Sequence, residues 1–181
     1  LAMPEDAEAA VIEMGISGFG EMERLSRMVQ PTVCVLTIIG CCHLENLGDR
    51  DGVLKAKTEM FRHARDNAAY ILNGDDDKLS TVSEVNGKTP VFFGISEKNP
   101  YHAENIVNNG EGGVSCDLCF DGKKLHAVIP AIGTYMVSNA LAAAAVGNLL
   151  GMTDEEIIRG VEAYKTVGSR ANVINTSRFK I

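Results

Sequence analysis

The sequence predicts an α/β fold: a mostly parallel sheet flanked by helices, with a small antiparallel β flap. Three observations carry that expectation. Apolar runs of strand length without polar alternation recur before Pro100, at AAVIEM (9–14), TVCVLTII (32–39), AAYIL (68–72) and PVFFG (90–94). Such runs suit strands covered on both faces, and segments with helical spacing fall between them. After Pro100 the rhythm changes to three short strands, the last two joined by a tight turn.

In chain order, residues 9–14 predict a buried parallel strand with Glu13 near its C-terminal end, followed by glycines at 15, 18 and 20. A helix carrying Phe19, Met22, Leu25 and Met28 on its apolar face stops before Pro31, which disfavours helix in the residue preceding it. The second strand, 32–39, leads into the CCHLENLGDRDG loop and a short amphipathic helix. Residues 68–72 form a third strand, and Asp75 to Asp77 start and cap a further short helix, a metal role being the alternative. Residues 90–94 are the fourth strand. Ala103–Val107, Gly113–Phe120 and Lys124–Ile129 make the flap, closed by the Asp121-Gly122 turn. Tyr135 to Leu150 is an alanine-rich, largely buried helix ended by Gly151. Thr153-Asp154-Glu155-Glu156 has the capping-box pattern of a last helix running to about Lys165.

The 181 residues carry 45% hydrophobic and 23% charged side chains and a net charge of −7. That composition fits an ordinary globular chain with a sizeable core. The acidic balance and the lack of a basic run speak against a general nucleic-acid or membrane-surface binder. No apolar run approaches the roughly 20 residues of a membrane span. Five cysteines without regular framing predict reduced thiols and a cytoplasmic setting.

Stepping at about 100° per residue, Val53, Ala56, Met60, Phe61 and Ala64 share one arc, and Lys57 falls inside it while Lys55 points away. A lysine on an apolar face either snorkels at the rim of the core or presents a neutral amine able to take up carbon dioxide. Glu13 and His43 each sit at the C-terminal end of a predicted parallel strand, the edge at which such sheets bind ligands. With the Lys57 helix they could converge as metal donors; taken singly, each is also an unremarkable surface group. Tyr135 and Asn139, four residues apart on one helix face, could stack on and hydrogen-bond a nucleobase or simply pack on a neighbouring loop. Arg170 could grip a phosphate or stay solvated. Cys116 and Cys119 form a CxxC within a strand, where side chains three apart face opposite sides, so a zinc pair is not expected there. Cys41 and Cys42 read as small packing residues.

Taken together, VIEMG (11–15), GEMERLSRMVQP (20–31), HLENLGDRDGVLKAKTEMF (43–61), ILNGDDD (71–77), SNALAAAAVGNLLG (138–151) and GSRANVI (168–174) resemble the Mur ligases. These are ATP-dependent amide-forming enzymes of bacterial peptidoglycan synthesis. The resemblance is strongest to the branch that joins D-alanyl-D-alanine to a UDP-N-acetylmuramoyl-tripeptide through an acyl phosphate. It implies a P-loop-NTPase-like central domain, here incomplete, with 1–100 and 130–170 as α/β core and 101–129 as flap. It further implies ATP and Mg2+ as cofactors. Glu13 would bind the magnesium held by the phosphates, His43 a second magnesium, and Lys57 would be carbamylated. Asn139 and Tyr135 would meet the adenine, and Arg170 the terminal phosphate.

The family's GxxGKT/S phosphate loop is not found within the chain; Asn86-Gly87-Lys88-Thr89 belongs to a later turn. The family's usual histidine and asparagine appear as Tyr135 and Met136. The chain is therefore expected to be a central-domain fragment without the UDP-substrate and C-terminal domains, inactive alone. Another amino-acid ligase of the superfamily, or a non-catalytic module that kept the fold, are the competing expectations.

Overall fold

The computed structural model describes residue 4 and residues 6–165. Its centre is a parallel sheet in the order β1 (Val33–Leu36), β2 (Ala69–Asn73), β3 (Val91–Phe93). Val33 lies opposite Ala69, and Ile71 opposite Val91. A separate antiparallel sheet holds β4 (His102–Asn108), β5 (Val114–Phe120) and β6 (Lys123–Ile129). A bridge between Phe93 and Tyr101 joins the end of β3 to the residue just before β4.

Among the described residues five α-helices surround these strands: α1 (Glu21–Val29), α2 (Leu44–Leu47), α3 (Arg50–Thr58), α4 (Tyr135–Leu149) and α5 (Asp154–Glu162). The side chains of β2 alternate between two cores, as a two-residue period requires. Ile71 packs with Val137, Leu141 and Ala144 of α4, Ile157 of α5 and the inner face of the antiparallel sheet. Tyr70 and Leu72 pack on the other side with Met22 of α1, Val53 and Ala56 of α3, and Phe61. The sheet is thus covered on both faces, which is why its strands read as unbroken apolar runs.

Local chemistry accounts for the ends of these elements. Asp121 and Gly122 both take positive φ, 51° and 73°, the backbone pair that lets a two-residue turn follow the twist of β5 and β6. The Thr153 hydroxyl accepts from the Glu156 amide while the Glu156 carboxylate accepts from the Thr153 amide, a complete capping box opening α5.

Three expectations from sequence are corrected. Residues 9–14 form no strand: Val11 is 99% exposed, and no backbone ladder pairs the segment. An apolar run is held in a sheet only when a neighbour takes up its backbone groups, and none of the described residues does so here. The buried face of α1 is centred on Met22 and Ser26, with Phe19 and Met28 exposed. The Ser26 hydroxyl donates to the Met60 carbonyl at 2.5 Å, so a polar residue occupies the deepest position. Between β2 and β3 a single 3₁₀ turn, Leu79–Thr81, stands where a helix was expected. Both of its leading amides are spent on Asp76, and an Asn86-Gly87 turn follows within a few residues.

Two substitutions test this account by urea unfolding. Leu141→Ala, which empties a fully buried site between α4 and the parallel sheet, is expected to cost about 2–5 kcal/mol. Thr153→Ala, which removes only the cap, is expected to cost about 1 kcal/mol.

Candidate functional site

The parallel sheet stops sooner at β1 than its sequence suggests, and the residues past Leu36 are held by side chains instead. Asn73, at the end of β2, donates to the Thr37 carbonyl at 2.9 Å. Lys57 of α3 donates to the Ile38 carbonyl at 2.7 Å, and Arg50 Nε to the Ile39 carbonyl at 2.9 Å. The Ile39 amide donates to Asp76 Oδ2 at 2.9 Å, within the protein interior. Three separate segments thus meet at the C-terminal edge of the sheet, the side at which open α/β sheets bind ligands.

Electrostatics reinforce the same edge. Arg50 makes a two-pronged ion pair with Asp77 and lies 3.7 Å from the buried Asp76 carboxylate. The Arg50 hydrogen bonds hold the Asp77 carboxyl below its ordinary range and raise the guanidinium in turn. Asp76 serves two ends of the turn at once, because its other oxygen caps the Lys78 and Leu79 amides. Of the three aspartates in the DDD turn, one therefore caps, one pairs with Arg50, and Asp75 accepts from Asn99 and the Ser96 amide.

Lys57 is half-buried on a helix whose Val53 and Ala56 are buried, while the exposed Lys55 lies over the Phe19 ring. His43 begins α2 with φ of 58°, a conformation costing a non-glycine residue roughly 1–2 kcal/mol. Its exposed ring leans toward Glu45 at 3.7 Å. Strained backbone of this kind gathers at functional sites. The junction between α2 and α3 is tight: a Cβ at Gly52 would come within 1.8 Å of the Leu47 carbonyl oxygen. Only glycine fits where the helix bearing Lys57 starts against the helix bearing His43.

Glu13 is exposed in irregular chain, with no hydrogen bond or ion pair to any described residue. The segment after it is tied to α2, since Asn46 donates to the Ser17 carbonyl at 3.0 Å, and to the end of α3, since the Gly20 amide donates to Glu59 at 2.8 Å. Glu13, His43 and Lys57 make no hydrogen bond or ion pair with one another, although the segments carrying them are linked around one sheet edge.

On α4, Tyr135 is 60% exposed and Asn139 is exposed, while Val137, Leu141 and Ala144 are buried. Both line an apolar cleft of about 620 Å³ between α4 and α5, together with Ile132, Met136, Met152 and Tyr164. Among the described residues the Asn139 amide meets only the Met136 sulfur, at 3.5 Å, a weak acceptor. Arg170 lies outside the described residues. Asp76 is marked by the sequence as a capping residue, while Arg50 and Asn73 carry no such mark as residues that shape the site. Their sequence signal was the GDRDG and NGDDD turns, each directly after or before an element ending at this edge.

Comparison with known proteins follows from this geometry. The profile of the Mur ligase middle domain matches residues 1–147. The chain is 34% identical over 176 residues to the UDP-N-acetylmuramoyl-tripeptide--D-alanyl-D-alanine ligase of Bacillus subtilis (strain 168), covering 97% of this chain and 37% of that protein. To the protein of the same name from Haemophilus influenzae it is 29% identical over 94% of this chain and 36% of that one. Among solved structures, MurF from Acinetobacter baumannii superposes with a TM-score of 0.90 at 28% identity, over 98% of this chain and 39% of that chain. The MurF ligase from Thermotoga maritima in complex with ADP superposes at 0.74 and 27% identity, over 89% of this chain and 37% of that one. The chain spans well under half the length of these relatives, and it belongs to the Mur ligase middle domain family.

Proposed function

We propose that this chain is the nucleotide-handling portion of an ATP-dependent ligase that joins D-alanyl-D-alanine to a UDP-N-acetylmuramoyl-tripeptide. The observation that carries the reading is the side-chain-held edge past β1, where Lys57 is drawn out of an apolar helix face onto the Ile38 carbonyl. The near-complete coverage of this chain by relatives of that name supports the substrate assignment.

The residues present fit a nucleotide. The α4–α5 cleft offers apolar walls, the exposed Tyr135 ring for stacking and the Asn139 amide for a base edge. The chain also offers donors that suit a hard divalent cation, which takes carboxylate oxygen such as that of the exposed Glu13, whose carboxylate has no partner among the described residues. His43 presents a further donor on a strained backbone. Magnesium bound there would neutralise phosphate charge during transfer of a phosphoryl group to the substrate carboxylate. The chain's own part is positional. Asn73, Arg50 and Asp76 fix the backbone past β1, Gly52 sets α2 against α3, and Lys57 places its nitrogen at the sheet edge. A carbamate on that nitrogen would turn the same position from donor to oxygen ligand. Arg170 is assigned to the terminal phosphate.

In the full-length enzyme, Lys57→Ala is expected to lower ligase turnover by about 10²–10³-fold, with wild-type activity falling when bicarbonate is removed. Undiminished turnover in that variant, indifferent to bicarbonate, sinks the assignment. Tyr135→Ala and Asn139→Ala are each expected to weaken ADP binding by calorimetry about tenfold, a loss near the low end for one stacked or hydrogen-bonded base. Turnover with D-alanyl-D-alanine measured against single amino acids separates this reading from another ligase of the superfamily. Absence of nucleotide binding in the full-length protein would favour a non-catalytic module instead.

A further inference from the structure

The antiparallel sheet has two unlike faces. Tyr101, Ala103, Val114, Cys116, Leu118, Phe120, Ala127 and Ile129 enter the core from one of them. The opposite face carries His102 and Glu104 from β4, Asp117 and Cys119 from β5, and Lys124 and His126 from β6, as strand alternation requires. His102 lies directly opposite Cys119 in the β4–β5 ladder, and Glu104 is two residues further along β4 on the same face. The CxxC is therefore split, with Cys116 in the core and Cys119 facing other partners.

We propose that His102 Nε2, Glu104 Oε1 and Cys119 Sγ form a zinc-binding site that clamps β4 to β5, with the fourth position open to water. The three ligand atoms lie within 4.8 Å of one another, and they are the one such group of three among the described residues. His102 Nε2 is 3.6 Å from Glu104 Oε1, and Cys119 Sγ is 3.7 Å from the same oxygen. Tetrahedral zinc with ordinary bond lengths places neighbouring nitrogen, oxygen and sulfur ligands roughly 3.4–3.6 Å apart. The two spacings from Glu104 Oε1 lie at or within about 0.1 Å of that range.

The surrounding hydrogen bonds prepare two of the three ligands, His102 and Glu104. His102 Nδ1 lies 3.0 Å from the Asn99 carbonyl, which can only accept, so the ring proton sits on Nδ1 and the Nε2 lone pair is free. Lys124 holds Glu104 Oε2 at 2.6 Å and turns Oε1 toward the other two ligands. Asp117 is already engaged by Asn105 and His126, so it does not compete for the ion. Cys119 is 3% exposed, while the His102 and Glu104 side chains are 21% and 28% exposed, which buries the sulfur and leaves an entry path on the oxygen and nitrogen side. Mixed nitrogen, oxygen and sulfur donors select zinc over magnesium. The site lies on the outer face of the flap, among none of the residues assigned to nucleotide or to magnesium above.

The test is cobalt(II) and zinc titration of full-length protein in which the exposed Cys41 and Cys42 are serine. A thiolate-to-cobalt charge-transfer band is expected, and Cys119→Ser should remove it together with one equivalent of bound cobalt. His102→Ala should weaken cobalt binding at least about tenfold. Glu104→Gln, which keeps the side chain's size, should do the same without loss of fold by circular dichroism. Zinc, and not equal magnesium, should raise the melting midpoint of the parent protein. Equal stoichiometry and an unchanged band in Cys119→Ser overturn the proposal, as does cobalt affinity unaltered in both His102→Ala and Glu104→Gln. If a variant fails to fold, the parent's melting response to zinc decides alone, and no rise overturns the site.

Discussion

Backbone groups that leave a β-ladder need other partners, and the stretch Thr37 to Ile39, exposed at its first two residues and buried at the third, takes them from side chains. Its parallel neighbour among the described residues, β2, cannot serve it, because that strand ends at Asn73. The carbonyls and the amide are taken by Asn73, Lys57, Arg50 and Asp76. Those four side chains come from three places in the sequence, so satisfying one short segment ties β2, α3 and the DDD turn together. The arrangement needs charged groups at the rim of the core, and it places them at the edge where a parallel sheet receives its ligand.

Much of this was legible in the sequence, for identifiable reasons. The Lys57 arc could be read because helical periodicity sets which side chains share a face regardless of tertiary context. The capping box at Thr153 and the Asp121-Gly122 turn could be read because the chemistry of each is complete within four residues. The cover of β1 to β3 on both faces could be read because buried parallel strands lose polar alternation. The family was legible too, since its motifs recur in order over nearly the whole chain.

What escaped the sequence shares one property: it depends on a partner far away along the chain. Residues 9–14 have the composition of β1, yet nothing in their composition supplies a ladder. Ser26 looks like a surface residue until the Met60 carbonyl is seen above it. Arg50 and Asp76 look like loop charges until the main chain past β1 is found between them. The cysteine pair splits across the strand as its spacing implies, but spacing within one strand says nothing about the strand beside it. Cys119 finds its neighbours on β4, and its CxxC mate finds none of them.

The alternation along β2 has a mechanical consequence. Ile71 belongs to one core and its two neighbours, Tyr70 and Leu72, belong to the other, so a single strand is the common wall of both. Neither half can loosen without stripping cover from that wall, which couples the flap and α4 side to the α1 and α3 side as one cooperative unit. The amides of residues 70–72 are accordingly the last to exchange with solvent deuterium, opening only when the whole molecule does.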